Sequence, residues 1–337
     1  MDAPDWVLDE DGDLTLVVGT EPSRTMKVDS RTLCRASPIF RQMLSGLCRE
    51  SKPPSGAWEV SLAEDDPAAL LIIMDIIHGQ YEYTTVEIAV GILCRVLRLA
   101  SKYHMAKALR PVSSAWLGYA NEDARKQLSG REAYLFVAYE LGDAELFDYV
   151  GMRIVKECVL DNLGYMLTAN GRHRLMDVEY VGRPDFVYEI KRCRLDILFK
   201  IKETCQYYIH SLATDNLAGL RNPPLALESR NMLIRLILKE AHDHGISAIF
   251  LDAVDDQNDK FSIRDIISKL MHLSDAITKD MRHRCEKFQV LIDEVNDAIV
   301  DFDSVSNDDG VAYMATQAAA AQLLLNSQSS IKEESYL

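Results

Sequence analysis

A chain of 337 residues, 48% hydrophobic and 26% charged, has enough apolar side chains to fill the cores of two folded domains. Its formal net charge of −15, with no cluster of Lys and Arg, argues against a nucleic-acid partner, because phosphates must be neutralised. The seven cysteines are scattered singly with no CxxC, which argues against a disulfide framework or zinc cassette. No apolar run reaches the roughly 18 residues that span a bilayer.

The acidic opening Met1-Asp2-Ala3-Pro4-Asp5-Trp6 lacks the basic and apolar regions of a secretory signal, so the expected location is cytoplasmic or nuclear. Residues 1–12 read as a tail. Leu14, Leu16 and Val18 then alternate with Thr15 and Val17, as a half-buried strand does. A short helix follows to Ser37, where Ser37-Pro38 starts a second one carrying Ile39, Phe40, Met43 and Leu44: serine is a good N-cap, and proline is pre-organised for the first helical position. Ser51-Lys52-Pro53-Pro54-Ser55-Gly56 reads as a surface loop before a second alternating strand, Trp58, Val60 and Leu62. Asp66-Pro67 caps a helix bearing Leu70, Ile73, Met74 and Ile77. Thr84 and Thr85 offer caps for a long helix with Ile88, Ile92, Val96, Leu99 and Tyr103, and Pro111 enforces a break or a new start.

From Trp116 the pattern is helical. Ser129-Gly130-Arg131-Glu132 is a capping box, Tyr134, Val137, Ala138 and Leu141 form a buried stripe, and Gly142 suits a left-handed C-terminal position, with Asp143 capping the next helix. Further helices are expected over about 186–212 and 225–244, and from Ser262, with Asp265 three positions on. Met281, Cys285, Phe288, Ile292, Val295, Ile299 and Phe302 are spaced alternately by four and three, a heptad seam of about three repeats. Two readings stand: a terminal helix packing within the helical domain, or an intermolecular coiled coil. Beyond it lie an acidic stretch to Asp309, an alanine-rich stretch through Ala321 and a Ser/Gln tail; residues 303–337 are expected to be disordered.

The order and spacing of these pieces resemble a BTB/POZ domain over residues 13–111. Gly12-Asp13-Leu14-Thr15-Leu16 is similar to the family's first strand. Leu33, Ser37-Pro38, Phe40 and Met43 fall on its helical pair, and Trp58-Glu59-Val60-Ser61-Leu62 with Asp65-Asp66-Pro67 looks like the strand and helix that follow. Leu99-Ala100-Ser101-Lys102-Tyr103-His104-Met105 looks like the closing helix. The helices after Trp116, above all Tyr139-Glu140-Leu141-Gly142-Asp143-Ala144, look like those that follow the module in many fungal proteins. The implied fold is an α+β BTB/POZ domain followed by an all-α helical domain over 112–302. Many members place His four residues before the leucine matching Leu33, within reach of the strand Asp; here that position is Asp29. Either Asp13 and Asp29 approach and repel, raising one pKa, or Asp29 turns outward to cap the helix.

The resemblance implies a non-catalytic protein-interaction module. The first domain would self-associate or dock a scaffold, and the helical domain would present a partner surface. In members that recruit a cullin, a hydrophobic-x-Glu triplet lies shortly after the Ser-Pro helix. The matching residues here are Cys48-Arg49-Glu50, with Leu47 just before and Met43 on the preceding helix, so a substrate receptor of a cullin ubiquitin ligase is the alternative. A small Cys is a weak apolar anchor. A chromatin-associated regulator is a further alternative that the charge opposes. The segment before Asp13 is short for an exchanged strand, so a weak homodimer or a monomer is expected. No phosphate-binding loop, GxSxG or HExxH occurs. Asp256-Gln257-Asn258-Asp259 lacks the glycine and final Glu of a calcium loop, and His242/His244 and His283/Cys285 are too closely spaced for metal ligands on one helix face. No enzyme, cofactor or metal site is expected.

Overall fold

Leu14, Leu16 and Val18 all turn to one side of strand β2 (Leu14–Val18) and are fully buried, as the alternation requires. The structure, a computed structural model, describes residues 4–45, 48–127, 131–181, 184–214, 227–251, 261–281, 286–300, 302 and 304–322. Leu47, Ser129-Gly130 of the expected capping box, the 256–259 stretch, His283 and Cys285 lie outside the described residues. The chain divides into two compact units, Met1–Phe147 with Asn307–Leu337, and Asp148–Ser306.

In the first unit a four-stranded mixed sheet has the order β1 (Trp6–Val7), β3 (Arg24–Val28), β2 and β4 (Glu59–Leu62). β2 runs antiparallel to β3, with Leu16 opposite Met26, and parallel to β4, with Leu16 opposite Val60. The expected N-terminal tail therefore contributes to the fold. Trp6 pairs with Met26, Leu8 is buried, and the Leu8 N–H donates to the Lys27 carbonyl at 2.9 Å. A two-residue strand has no periodicity to read in the sequence.

Between β3 and β4 stand α1 (Ser30–Ala36) and α2 (Pro38–Leu44). α3 (Pro67–His78) and α4 (Val90–Lys102) follow β4. Asp66 caps α3 by accepting the Ala69 N–H at 2.7 Å, with Pro67 in the first turn. Thr84 and Thr85 do not cap α4, which begins six residues later. The Thr84 hydroxyl instead donates to the buried Asp75 carboxylate at 2.7 Å, which also accepts the Glu82 and Tyr83 N–H groups at 3.0 Å. Satisfying a buried carboxylate outweighs the helix cap. A 3-10 turn at Ala106–Leu109 leads into α5 (Arg110–Lys126), where Pro111 sits in the first turn and opens the new helix. α6 (Ala133–Leu141) is buried on almost every side and ends at Gly142, whose φ of 79° is the left-handed conformation expected of it.

The unit boundary falls within α7 (Ala144–Glu157), capped by Asp143 through the Leu146 N–H at 2.9 Å. The second unit opens with a small hairpin, β5 (Val159–Leu160) with β6 (Met166–Leu167), inside a region expected to be wholly helical. α8 (Pro184–Thr214), α9 (Leu227–Asp243), the short α10 (Ser247–Phe250), α11 (Ile263–Met281) and α12 (Glu286–Val300) follow, so the region is mostly helical. α12 packs along α8. Ser262 and Asp265 form a reciprocal cap on α11: the Ser262 hydroxyl accepts the Asp265 N–H at 3.0 Å, and the Asp265 carboxylate accepts the Ser262 N–H at 3.2 Å.

The chain then returns to the first unit as α13 (Asp308–Gln322), in the stretch expected to be disordered. Alanine is the best helix former, and tertiary contacts hold this helix in place. Met314 is buried, and Tyr313 stacks on Tyr139 with centroids 4.4 Å apart. A Cβ on Gly142 would overlap the Ala318 nitrogen and the Met314 carbonyl, so α13 passes where only glycine leaves room.

Candidate functional site

Ser37 joins α1 to α2 and is wholly buried. Its extended backbone, φ −134° and ψ 122°, ends one helix and caps the next. The hydroxyl accepts the Phe40 N–H at 3.0 Å and donates to the Tyr103 carbonyl at 2.6 Å. Phe40 and Tyr103 stack with centroids 4.4 Å apart. The Tyr103 hydroxyl donates to buried Asp65, which also takes Lys102 at 2.6 Å. Burial, then this carboxylate, push the Tyr103 phenol well above its ordinary value. The closing helix is thereby locked onto the Ser-Pro helix.

Asp29 caps α1, accepting the Thr32 N–H at 2.9 Å and the Thr32 hydroxyl at 2.7 Å. Asp13 accepts the Ser30 N–H at 3.0 Å and pairs with Lys52 at 3.0 Å. Partial burial opposes ionisation of both carboxyls, but these hydrogen bonds outweigh it, and both pKa values lie below the ordinary 3.8. Asp13 raises Asp29 only as the smallest influence, so the capping arrangement is the one observed and its hydrogen bonds outweigh the repulsion. A histidine does reach this corner, from α3: His78 Nε2 accepts the Asp29 N–H at 3.2 Å while Nδ1 meets the Met74 carbonyl at 2.8 Å.

The segment after α2 presents Cys48 and Arg49 to solvent and leaves Glu50 half-buried; Met43 on α2 is also half-buried. The Cys48 N–H donates to the Ser51 hydroxyl at 3.2 Å, and the Glu50 carbonyl accepts Trp58 Nε1–H at 2.8 Å. A tryptophan at the start of β4 thus anchors the backbone of the triplet and leaves its first two side chains outward.

A cleft of about 980 Å³ opens within the first unit. Its floor is apolar, including Ile76, Leu97 and Leu141, while Arg35 and Lys107 stand at its exposed rim. α13 supplies one wall through Tyr313, Gln317 and Ala320. The Tyr313 hydroxyl donates to Glu140 at 3.0 Å; burial, then the Glu140 carboxylate, push the phenol up to about 12. Sequence reasoning missed this wall. Tyr313, Gln317 and Ala320 sit at i, i+4 and i+7, a helical signal lost among the alanines.

In the second unit Phe288, Ile292, Val295 and Ile299 are buried as α12 packs on α8, with Phe288 edge-on to Tyr208 at 6.0 Å. Met281 is the last described residue of α11, residues 282–285 lie outside the described residues, and Phe302 lies half-buried beyond α12. Burial raises the thiols of Cys158 and Cys205, and that of Cys193 to about 11, which keeps them protonated and weakly nucleophilic. Among the described residues no group of three or more His, Cys, Asp or Glu could hold a metal ion, and no helix is long and apolar enough to cross a membrane.

A mixed sheet flanked by paired helices, closed by a helix locked onto the Ser-Pro corner, is the architecture of a protein-interaction module. Residues 8–115, about a third of the chain, match the family model of the BTB/POZ domain, so the chain carries a BTB/POZ domain followed by a mostly helical region. Comparison with curated proteins and with solved structures gives no match.

Proposed function

We propose that this chain is a non-catalytic adaptor: its BTB/POZ domain self-associates or docks a scaffold, and its helical region binds a partner protein. The observation that carries this reading is the BTB/POZ match over residues 8–115, together with an apolar-floored cleft with a basic rim in the first unit. Such a lining suits an apolar segment with acidic flanks better than a polyanion. Affinity purification with mass spectrometry on the intact protein tests it. Reproducible protein partners are expected, and their absence alongside a specific turnover of a small molecule would overturn it.

A second reading, a substrate receptor of a cullin ubiquitin ligase, is favoured by the exposure of Cys48 and Arg49 and the Trp58 tether beneath Glu50. Met43 and Leu47 would complete that contact. In this reading Glu50→Ala abolishes cullin capture in a pull-down. Capture that persists in the variant removes the role given to the triplet.

A further inference from the structure

Along α8 one face is committed to the interior, with Ile190, Cys193, Ile197, Ile201, Cys205 and Tyr208 buried. The opposite face should then carry only solvated side chains. Instead it exposes Tyr188, Leu195, Phe199 and Tyr207, at 66%, 46%, 69% and 65%. At about 100° per residue Tyr188, Leu195 and Phe199 fall within about 40° of one another, and Tyr207 stands about 80° to one side of Phe199. Three large apolar or aromatic groups in line on a 31-residue helix are an unspent surface.

The stripe is self-complementary. About a midpoint between Ile197 and Leu198, Arg192 and Glu203 lie equally far on either side, roughly 8 Å at 1.5 Å per residue. We infer that this face of α8 takes the same face of a second copy of the chain, antiparallel, about a twofold axis near Leu195 and Phe199. In that arrangement Arg192 meets Glu203 of the second copy, and the two Leu195–Phe199 pairs mesh at the centre. A parallel pairing would set Arg192 against Arg192, so the charges select the antiparallel one. Within its own chain Arg192 rests on Glu189 at 2.8 Å and Asp196 at 3.4 Å, and Glu203 on Lys200 at 2.9 Å. These half-exposed pairs hold little energy and rearrange readily. One helix pair buries less than the roughly 1,600 Å² of a standard interface, so the association is weak, of micromolar order. The inference does not depend on the function proposed for the BTB/POZ domain.

Charge reversal of the full-length chain, read by sedimentation equilibrium, tests it. Arg192→Glu and Glu203→Arg each set like charges together twice in a homodimer and weaken self-association by about tenfold or more. An equimolar mixture of the two variants restores both attractions and recovers the wild-type constant. Circular dichroism checks that each exposed substitution leaves the helices intact. Three results would overturn the inference: a wild-type chain monomeric throughout the micromolar range, a constant that neither substitution moves, or weakening without recovery on mixing.

Discussion

Ser37 shows how much one small polar side chain can organise. Its hydroxyl accepts from the first turn of α2 and donates to the last carbonyl region of α4, with no exposure to water. Ser37→Ala removes the cap and leaves a buried carbonyl with one partner fewer, so stability should fall by about 1–3 kcal/mol in urea unfolding. A loss within error of zero would show that the joint is held by Phe40 and Tyr103 alone. Asp13 and Asp29 act on the same corner through charge. Both titrate below 3.8 in the folded state. Their stabilisation is therefore fully present above the unfolded value and is lost as pH falls through the folded one. Acid unfolding of the Asp13→Asn/Asp29→Asn variant should show a shallower pH dependence below about pH 4 than wild type; an identical slope would contradict these assignments. The sequence offered capping as one of two readings of Asp29, because an aspartate three residues before a helical N–H does that work locally. It gave no sign of Lys52 or His78, which approach from 39 and 49 residues away.

Elements were legible where a local rule held them and hidden where a distant contact did. β2, β4, α2, α3 and the Gly142 stop follow from alternation, Ser-Pro, Asp-Pro and glycine, each a matter of a few neighbouring residues. The start of α4 was misplaced because Thr84 answers to Asp75, a carboxylate on another helix. β1 is too short to show a period. α13 is the larger case: its composition reads as low complexity, and only the groove beside Gly142 gives it a place. Gly142→Ala adds a methyl group at φ 79° against the α13 backbone. It should cost about 2–4 kcal/mol or release α13. Unchanged stability with unchanged hydrogen exchange in α13 would rule out that close approach.

At the scale of the molecule, the first unit is discontinuous, built from the beginning of the chain and completed by α13 after the helical unit. All three tryptophans, Trp6, Trp58 and Trp116, belong to it, so tryptophan fluorescence follows that unit alone and is the readout in which Gly142→Ala should appear. The BTB/POZ domain and a following mostly helical region were readable from the chain itself, because strand alternation, helix caps and apolar periodicity are short-range and survive in any single sequence. The wall of the cleft, the choice of α8 as the partner of α12 and the exposed stripe on α8 were not. Each depends on which of two apolar faces of a helix the rest of the chain covers, and periodicity reports that a face exists without saying what lies against it.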